Sequence, residues 1–338
     1  MSQSHNTRIV LASRPQGRVK PENFRIEEQP IPVPGSGELL LKILLLSLDP
    51  YMRGRMDDAK SYAAPVAVND VMEGGTVAEV VKSNHPDYVA GDIVLSHSGW
   101  QSYAISNGVG LRKLNSEAAP LSTAVGILGM PGFTAYTGLL TIGQPKPGET
   151  VVVAAASGPV GATVGQIARI KGARAVGIAG GPDKCAFIKN ELGFDVAIDH
   201  RAPDFANQLK DACPNGIDVY FENVGGPVWD AVFPLLNTFA RIPVCGLIAQ
   251  YNSLDLSGND RLPALMRDIL KKSLTVRGFI NREFVDQRPA FFEAMNAWLH
   301  SGDVKYREDI VDGLTNAPKA FIGLLDGHNF GKLVIKVA

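Results

Sequence analysis

The stretch Val151-Val152-Val153-Ala154-Ala155-Ala156-Ser157-Gly158-Pro159-Val160-Gly161-Ala162-Thr163-Val164-Gly165 decides how this chain is read. An apolar strand runs into a glycine turn, and the turn opens a helix. Against the pattern GxGxxG, Ala156 stands in place of the first glycine, and Gly158 and Gly161 take the other two places. Gly158 would let the backbone approach a pyrophosphate, and Gly161 would let helix and strand lie close together. The helix N-terminus adds unpaired N–H groups and a partial positive charge. Gly165 is expected to face the sheet. Taken by itself, the turn is also compatible with a tight strand-to-helix connection that holds nothing.

Its surroundings narrow the choice. From Thr150 onward, strands alternate with helices. Thr150 to Ala155, Ala173 to Ala179, Ala197 to Asp199, Gly216 to Glu222 and Ala240 to Ile248 read as strands. Val160 to Lys171, Asp183 to Leu192, Asp204 to Ala212 and Val228 to Leu236 read as helices. Such alternation means βαβ units and a parallel sheet covered on both faces. Before Ala124 the pattern differs. Glu38 to Leu46, Val71 to Val81, Asp92 to Ser96 and Gln101 to Ile105 are short strand candidates separated by glycine and proline turns, which suits an antiparallel β domain. Arg288 to Leu299 reads as a helix and Gly331 to Val337 as a strand, so the tail is expected to return to the first domain. Strand material within Leu235 to Ile248 could lie at a sheet edge and serve a dimer.

The second strand of the βα series bears on the cofactor. Dinucleotide sites that bind an unphosphorylated ribose place Asp or Glu at its end. Here it ends Ala179-Gly180-Gly181, and the next charged residues are Asp183 and Lys184. A small residue with a cation nearby suits a 2′-phosphate, so NADPH/NADP+ is preferred with Lys184 as its anchor. The alternative for Lys184 is a solvated helix residue.

Composition excludes several classes. The 338 residues carry 33 Lys+Arg and 34 Asp+Glu, a formal net charge of −1. That gives no long-range attraction to nucleic acid or an anionic membrane. No apolar run reaches the ~18 residues of a membrane helix, and no signal-peptide core is expected near the N-terminus. Cys185, Cys213 and Cys245 form neither a CxxC clip nor an even framework, which fits a reducing, cytoplasmic setting. His5, His85, His97, His200, His300 and His328 are scattered without metal-ligand spacing, so no metal is expected. Hydride transfer to a conjugated C=C–C=O system needs none.

Several further motifs carry a resemblance: Leu48-Asp49-Pro50-Tyr51-Met52-Arg53-Gly54-Arg55-Met56, Leu128-Gly129-Met130-Pro131-Gly132-Phe133-Thr134-Ala135-Tyr136, Phe221-Glu222-Asn223-Val224-Gly225-Gly226 and Val244-Cys245-Gly246-Leu247-Ile248-Ala249-Gln250-Tyr251-Asn252. With them the chain resembles the zinc-independent medium-chain dehydrogenase/reductases along nearly its whole length. It is most similar to the leukotriene B4 12-hydroxydehydrogenase/prostaglandin reductase branch, and within it to the bacterial NADPH-dependent curcumin reductases. Val71-Met72-Glu73-Gly74-Gly75 stands where zinc-dependent relatives carry Gly-His-Glu, and the histidine is missing.

The resemblance implies an α/β architecture. A GroES-like β domain would span 1–128 and be completed by about 300–338, and a Rossmann domain with a doubly wound parallel sheet would span 129–299. It implies that Pro159, Val160, Gly161 and Ala162 hold the pyrophosphate, and Lys184 the 2′-phosphate. Asn223 would lie at the nicotinamide half. Cys245, Gly246, Ile248 and Tyr251, with Phe279 and Ile280, would line the cofactor, and Asn329 would reach it from the tail. Relatives often place Tyr where His200 stands, and His200 with Arg201 could take over at the adenosine phosphate.

The implied reaction is reduction of the C=C bond of α,β-unsaturated ketones or aldehydes, curcumin-type enones included. Tyr251 is the candidate donor to the developing enolate oxygen, with the cofactor ribose hydroxyl as the other. Tyr51, Met52 and Tyr62 are candidate substrate walls, Met52 being equally compatible with plain core. Arg53 and Arg55 could bind a substrate carboxylate, but pairing with carboxylates such as Asp49 is favoured. Loops Asp57 to Val66 and Ser253 to Arg261 are expected to shape the substrate site. A homodimer is expected. Two rival readings remain: an NADPH quinone reductase, and a non-catalytic, crystallin-like NADPH-binding protein.

Overall fold

The computed structural model describes residues 5–252 and 262–338. Two units divide the chain: Met1–Gly126 with Glu308–Ala338, and Ile127–Arg307.

The first unit opens with β1 (His5–Leu11) and β2 (Phe24–Pro30), an antiparallel ribbon. Next come β3 (Leu39–Ser47), the short helix α1 (Met52–Arg55), β4 (Thr76–Ser83), β5 (Ile93–Ser96), β6 (Tyr103–Ser106) and β7 (Arg112–Lys113). These strands pair antiparallel, with β3 against both β4 and β6. The apolar run of β3 has a simple cause: Leu39, Leu41, Ile43 and Leu46 are fully buried in the core of this unit. That core also holds Trp100, which stacks on Phe24 at 5.5 Å and meets Phe321 edge-on.

The second unit contains α2 (Met130–Thr137), β8 (Thr150–Ala154), α3 (Pro159–Ile170), β9 (Arg174–Ala179), α4 (Pro182–Asn190), β10 (Val196–Asp199) and α5 (Phe205–Ala212). It continues with β11 (Ile217–Phe221), α6 (Gly226–Val232), β12 (Leu236–Val244), α7 (Leu262–Lys272), β13 (Thr275–Gly278) and α8 (Arg288–Ser301). Its six strands form one parallel sheet in the order β10-β9-β8-β11-β12-β13. The chain therefore starts in the middle, winds one way to β10, then reverses direction between β8 and β11. In sheets of this kind, ligands bind at that switch point, beyond the carboxyl ends of the strands.

Strand β8 shows why the sequence reads as unbroken apolar residues. Val151 and Val153 enter the core on one face of the sheet, Val152 and Ala154 that on the other. Successive side chains alternate, so a strand covered on both faces has no polar side to show.

The last part of the chain returns to the first unit through β14 (Glu308–Asp312), α9 (Ala317–Leu325) and β15 (Lys332–Lys336). Strand β15 lies antiparallel on β3, but β14 and β15 are parallel, joined by the crossover through α9. The first sheet is thus mixed rather than purely antiparallel. Two other expectations shift. Strand β12 ends at Val244, because the N–H groups of Cys245 and Gly246 both turn onto the carbonyl of Glu222. It also lies inside the sheet, and the edge is β13, whose four residues are all exposed. Among the described residues, no helix is long and apolar enough to cross a membrane.

Candidate functional site

The glycine turn after β8 is built by strain and close contact. The residue in the left-handed region is Ala155, at φ +52°, one position before the one expected to replace a glycine. Ala156 is instead fully buried, and its N–H donates to the Ile178 carbonyl at 2.9 Å, which draws it under β9. A Cβ on Gly161 would fall on the Ala155 carbonyl, so this position tolerates no side chain without backbone movement. Gly165 faces the Phe194 ring, which also lies against Gly177 of β9, so α3 meets the sheet there through that ring. Helix α3 makes its first intrahelical bond from Ala162 N–H to the Gly158 carbonyl at 2.9 Å. The N–H groups of Val160 and Gly161 precede it, at the end of the helix where an anion is favoured. Pro159 has no N–H and fits the first helical position, where none is needed.

The end of β9 gathers charge. A Cβ on Gly180 would lie 2.9 Å from His200 Nε2 and 3.1 Å from Arg201 Nε. Asp199 Oδ1 accepts the N–H groups of Gly181 and Arg201, both at 2.9 Å, fixing this corner. His200 is exposed as a residue, but its ring is crowded, and that desolvation, then the Arg201 charge, pulls it below the usual imidazole range. Lys184 acts on it in the same direction and Asp199 opposes. Lys184, His200 and Arg201 thus share one electrostatic neighbourhood beside a residue with no side chain. Arg201 is the larger of the two companions that the sequence offered for Lys184.

Across the switch point, Asn223 Nδ2 donates to the Ala154 carbonyl at 2.9 Å and ties the end of β11 to that of β8. The loop after β12 is zipped onto this turn, with Ile248 N–H on the Asn223 carbonyl and Ala249 N–H on the Val224 carbonyl. Burial, then Glu222, pushes the Cys245 thiol up to about 12, so it is an inert neutral group. Tyr251 folds back under Gly246: its hydroxyl accepts the Leu247 N–H at 3.3 Å and would lie 3.0 Å from a Cβ on Gly246. Phe279, past the end of β13, packs edge-on to Phe221, and the two rings fill the space that Gly138 leaves. The Ile280 N–H is taken by Glu283 at 2.7 Å.

Sequence reasoning missed Glu222. It is 1% exposed and raised by burial, and Oε1 accepts Tyr220 OH and the N–H groups of Val224 and Gly225. Its carboxylate shapes the turn that carries Asn223; an acid beside an Asn-Val-Gly-Gly turn was the available signal.

In the first unit, Tyr51 is half-buried and Tyr62 is 46% exposed. Burial, then the carboxylates Asp49 and Glu73, push the Tyr51 phenol up, so it stays protonated. Met52 is fully enclosed in the core and is not a wall, because the short α1 turns it inward. The arginines do pair with carboxylates, but not with Asp49. Arg53 bonds Asp57 at 2.6 Å and Arg55 pairs with Glu73 at 2.6 Å, while Asp49 is taken by Lys332. Asn329 also belongs to this unit, and its Nδ2 donates to the Gly331 carbonyl at 2.8 Å. Residues Ser253 to Arg261 lie outside the described residues.

Two family models match, one described as the N-terminal domain of oxidoreductase over residues 7–114, the other as zinc-binding dehydrogenase over residues 159–300. An NADPH-dependent curcumin reductase of Escherichia coli is 59% identical over 335 residues, covering 98% of this chain and 97% of the relative. Prostaglandin reductase 1 of Rattus norvegicus is 42% identical, covering 93% and 94%. This chain belongs to the prostaglandin reductase branch of the zinc-independent medium-chain dehydrogenase/reductases. The solved structure of CurA from Vibrio vulnificus in complex with NADPH is similar at a TM-score of 0.96 and 56% identity, covering 98% of this chain and 99% of that one. This is the GroES-like plus Rossmann architecture. The second model's description mentions zinc, but the donors here do not fit it. Among the described residues no three His, Cys, Asp or Glu come together, and Glu73 is engaged by Arg55.

Proposed function

We propose that this protein is an NADPH-dependent reductase of the C=C bond of α,β-unsaturated ketones and aldehydes. One observation carries the reading. A glycine turn opening a helix, a basic corner and the 245–251 loop all follow carboxyl ends of strands in one parallel sheet wound about a switch point. The named activities of the two relatives support the same reading.

The residues fit the cofactor. The backbone N–H groups of Val160 and Gly161 at the start of α3 hold the pyrophosphate, and Pro159 and Ala162 line it on either side. Lys184, with His200 and Arg201, holds the 2′-phosphate, and the bare backbone at Gly180 leaves it room. Asn223, Cys245, Gly246, Ile248, Phe279 and Ile280 contact the nicotinamide half.

When bound, NADPH supplies the hydride, which adds to the substrate's β-carbon. Charge then develops on the carbonyl oxygen, and Tyr251 donates its hydroxyl proton in a hydrogen bond to it. Accepting the Leu247 N–H polarises that O–H and makes it a better donor. A donor aimed at charge that exists only in the transition state lowers the barrier more than it tightens substrate binding. Water supplies the proton at the α-carbon. Tyr51 and Tyr62 are the substrate walls, suited by their flat faces to conjugated molecules.

The test uses NADPH deuterated at C4 and an aryl enone, with the product read by NMR. Deuterium at the β-carbon, with the carbonyl intact, is the expected result. An allylic alcohol would overturn the reading, and turnover of a simple quinone with none of the enone would favour the quinone reductase. Cofactor-induced thermal stabilisation without any turnover would favour the non-catalytic protein.

The protein acts as a cytoplasmic homodimer in this reading. Three free cysteines suit a reducing compartment, and β13 leaves an open edge with Val276 exposed, which a second copy would cover. Light scattering should give about twice the chain mass, and a monomer would contradict it.

A further inference from the structure

Resting on the reading of Tyr51 and Tyr62 as substrate walls, we infer that Arg55 is a positioning residue that sets selectivity for aryl-substituted enones over small ones. It does so by holding those two rings and the 57–66 segment in one arrangement.

Arg55 is 4% exposed and lies at the end of α1. Its guanidinium carbon sits 4.3 Å from the centre of the Tyr62 ring and 5.8 Å from that of Tyr51. One planar cation thus serves two aromatic faces. The same group pairs through Nε with Glu73 at 2.6 Å, and Nη1 donates to the Ala63 carbonyl at 3.0 Å. Its own carbonyl accepts the Val66 N–H at 2.8 Å. Its charge is thus paired with Glu73 and its planar group is held against two rings and one carbonyl of the protein.

The segment it holds needs holding. Residues 58–62 and 64 are exposed, and no helix or strand runs between Arg55 and Thr76. Two further guanidinium groups fasten its near end: Arg53 on Asp57 and the Gly17 carbonyl, and Arg14 on the Met56 carbonyl. At the far end, Arg55 contacts the Tyr62 ring and holds the Ala63 carbonyl. Loss of that contact widens the range of orientations open to the ring, and narrowing it again on binding would cost binding energy. A flat aryl group stacks on a ring already fixed. A small enone such as 3-buten-2-one has no surface to place there, so it does not sense the difference.

The experiment measures KM for benzylideneacetone and for 3-buten-2-one, and their ratio, in Arg55→Lys, Tyr62→Leu, Tyr62→Phe and the Arg55→Lys/Tyr62→Leu pair. Lysine keeps the charge opposite Glu73 but loses the planar fork. Expected is a rise of about tenfold in the ratio for Arg55→Lys and for Tyr62→Leu, in KM rather than kcat. Tyr62→Phe keeps the ring and the ratio. The pair is expected to show no more than the larger single effect, since both changes break one contact. A shift in Tyr62→Leu but none in folded Arg55→Lys overturns the role of Arg55 and leaves the wall standing. No shift in Tyr62→Leu removes the wall, and this proposal with it. An equal shift in Tyr62→Phe and Tyr62→Leu also overturns it, by placing the selectivity in the hydroxyl. Those two variants sit at a half-exposed position and test the wall on which the proposal rests even if Arg55→Lys does not fold, and Arg55→Gln, which keeps a planar group, then replaces it with the same expected shift.

Discussion

Replacing Lys332 with methionine is expected to lower the unfolding free energy of the protein by about 3–5 kcal/mol. Lys332 is 2% exposed and spends all three ammonium protons inside the first unit: on Asp49 Oδ1 at 3.0 Å, the Leu48 carbonyl at 2.7 Å and the Leu333 carbonyl at 3.1 Å. Burial pulls it below the ordinary lysine range, and Asp49 opposes that pull. Methionine keeps the stem but leaves the Asp49 carboxylate buried, with Ser47 Oγ as its remaining side-chain donor. The cost is that of an uncompensated charge, not the net worth of the pair. Changing Asp49→Asn together with Lys332→Met should therefore recover much of the loss. Denaturant titration of the wild type, both single variants and the pair closes the cycle. A single Lys332→Met cost below about 1 kcal/mol, within the range of an exposed ion pair, would contradict the argument. Activity should fall as well, because Asp49 immediately precedes Pro50 and Tyr51 at the start of α1.

That pair also marks where sequence reading ends. Asp49 and Lys332 are 283 positions apart. Nothing local joins them; the β15–β3 register does, by setting Val334 opposite Ser47. The Rossmann half was legible because its strands are buried on both faces and its helices on one, so composition and period report burial directly. Strand β13 was not legible for the same reason reversed: Thr275–Gly278 is exposed at the edge and carries no apolar pattern. The left-handed residue, Ala155, stands one position before the one that replaces the motif's first glycine, because a motif counts residues, whereas φ depends on which carbonyl each amide reaches. For Tyr251 the sequence gives a phenol in the right motif, but only the folded loop shows its oxygen accepting the Leu247 N–H. The partners of Arg53 and Arg55 were open in sequence because Asp49, Asp57 and Glu73 were all within reach of an arginine on a short helix.

Removing the basic corner at the end of β9 should reverse the preference for NADPH. With Lys184→Ala and Arg201→Ala combined, KM for NADPH is expected to rise on the order of 10²-fold, from two charge-assisted contacts to a phosphate at ~1.5–3 kcal/mol each less solvent screening. KM for NADH should move less than threefold, since the unphosphorylated ribose has nothing to offer these cations. Each single variant should show part of the effect, and the two should be less than additive because both charges act on one dianion. His200 is not expected to take over in the double variant, because the largest cause that lowers its pKa, desolvation of its ring, persists when the Arg201 and Lys184 charges are removed. The sequence offered Lys184 as the anchor and His200 with Arg201 as companions, and Arg201 Nε lies 3.1 Å from the space above Gly180. Filling that space is the complementary test. Gly180→Asp would place a carboxylate where the family's NAD-specific sites carry one, beside His200 and Arg201. It should depress NADPH use by repulsion and raise NADH use by accepting the 2′-hydroxyl. Initial rates with both cofactors, at fixed ionic strength because the contacts are screened, decide the outcome. Equal losses for NADPH and NADH across these variants would show that the corner supports the fold and does not read the phosphate.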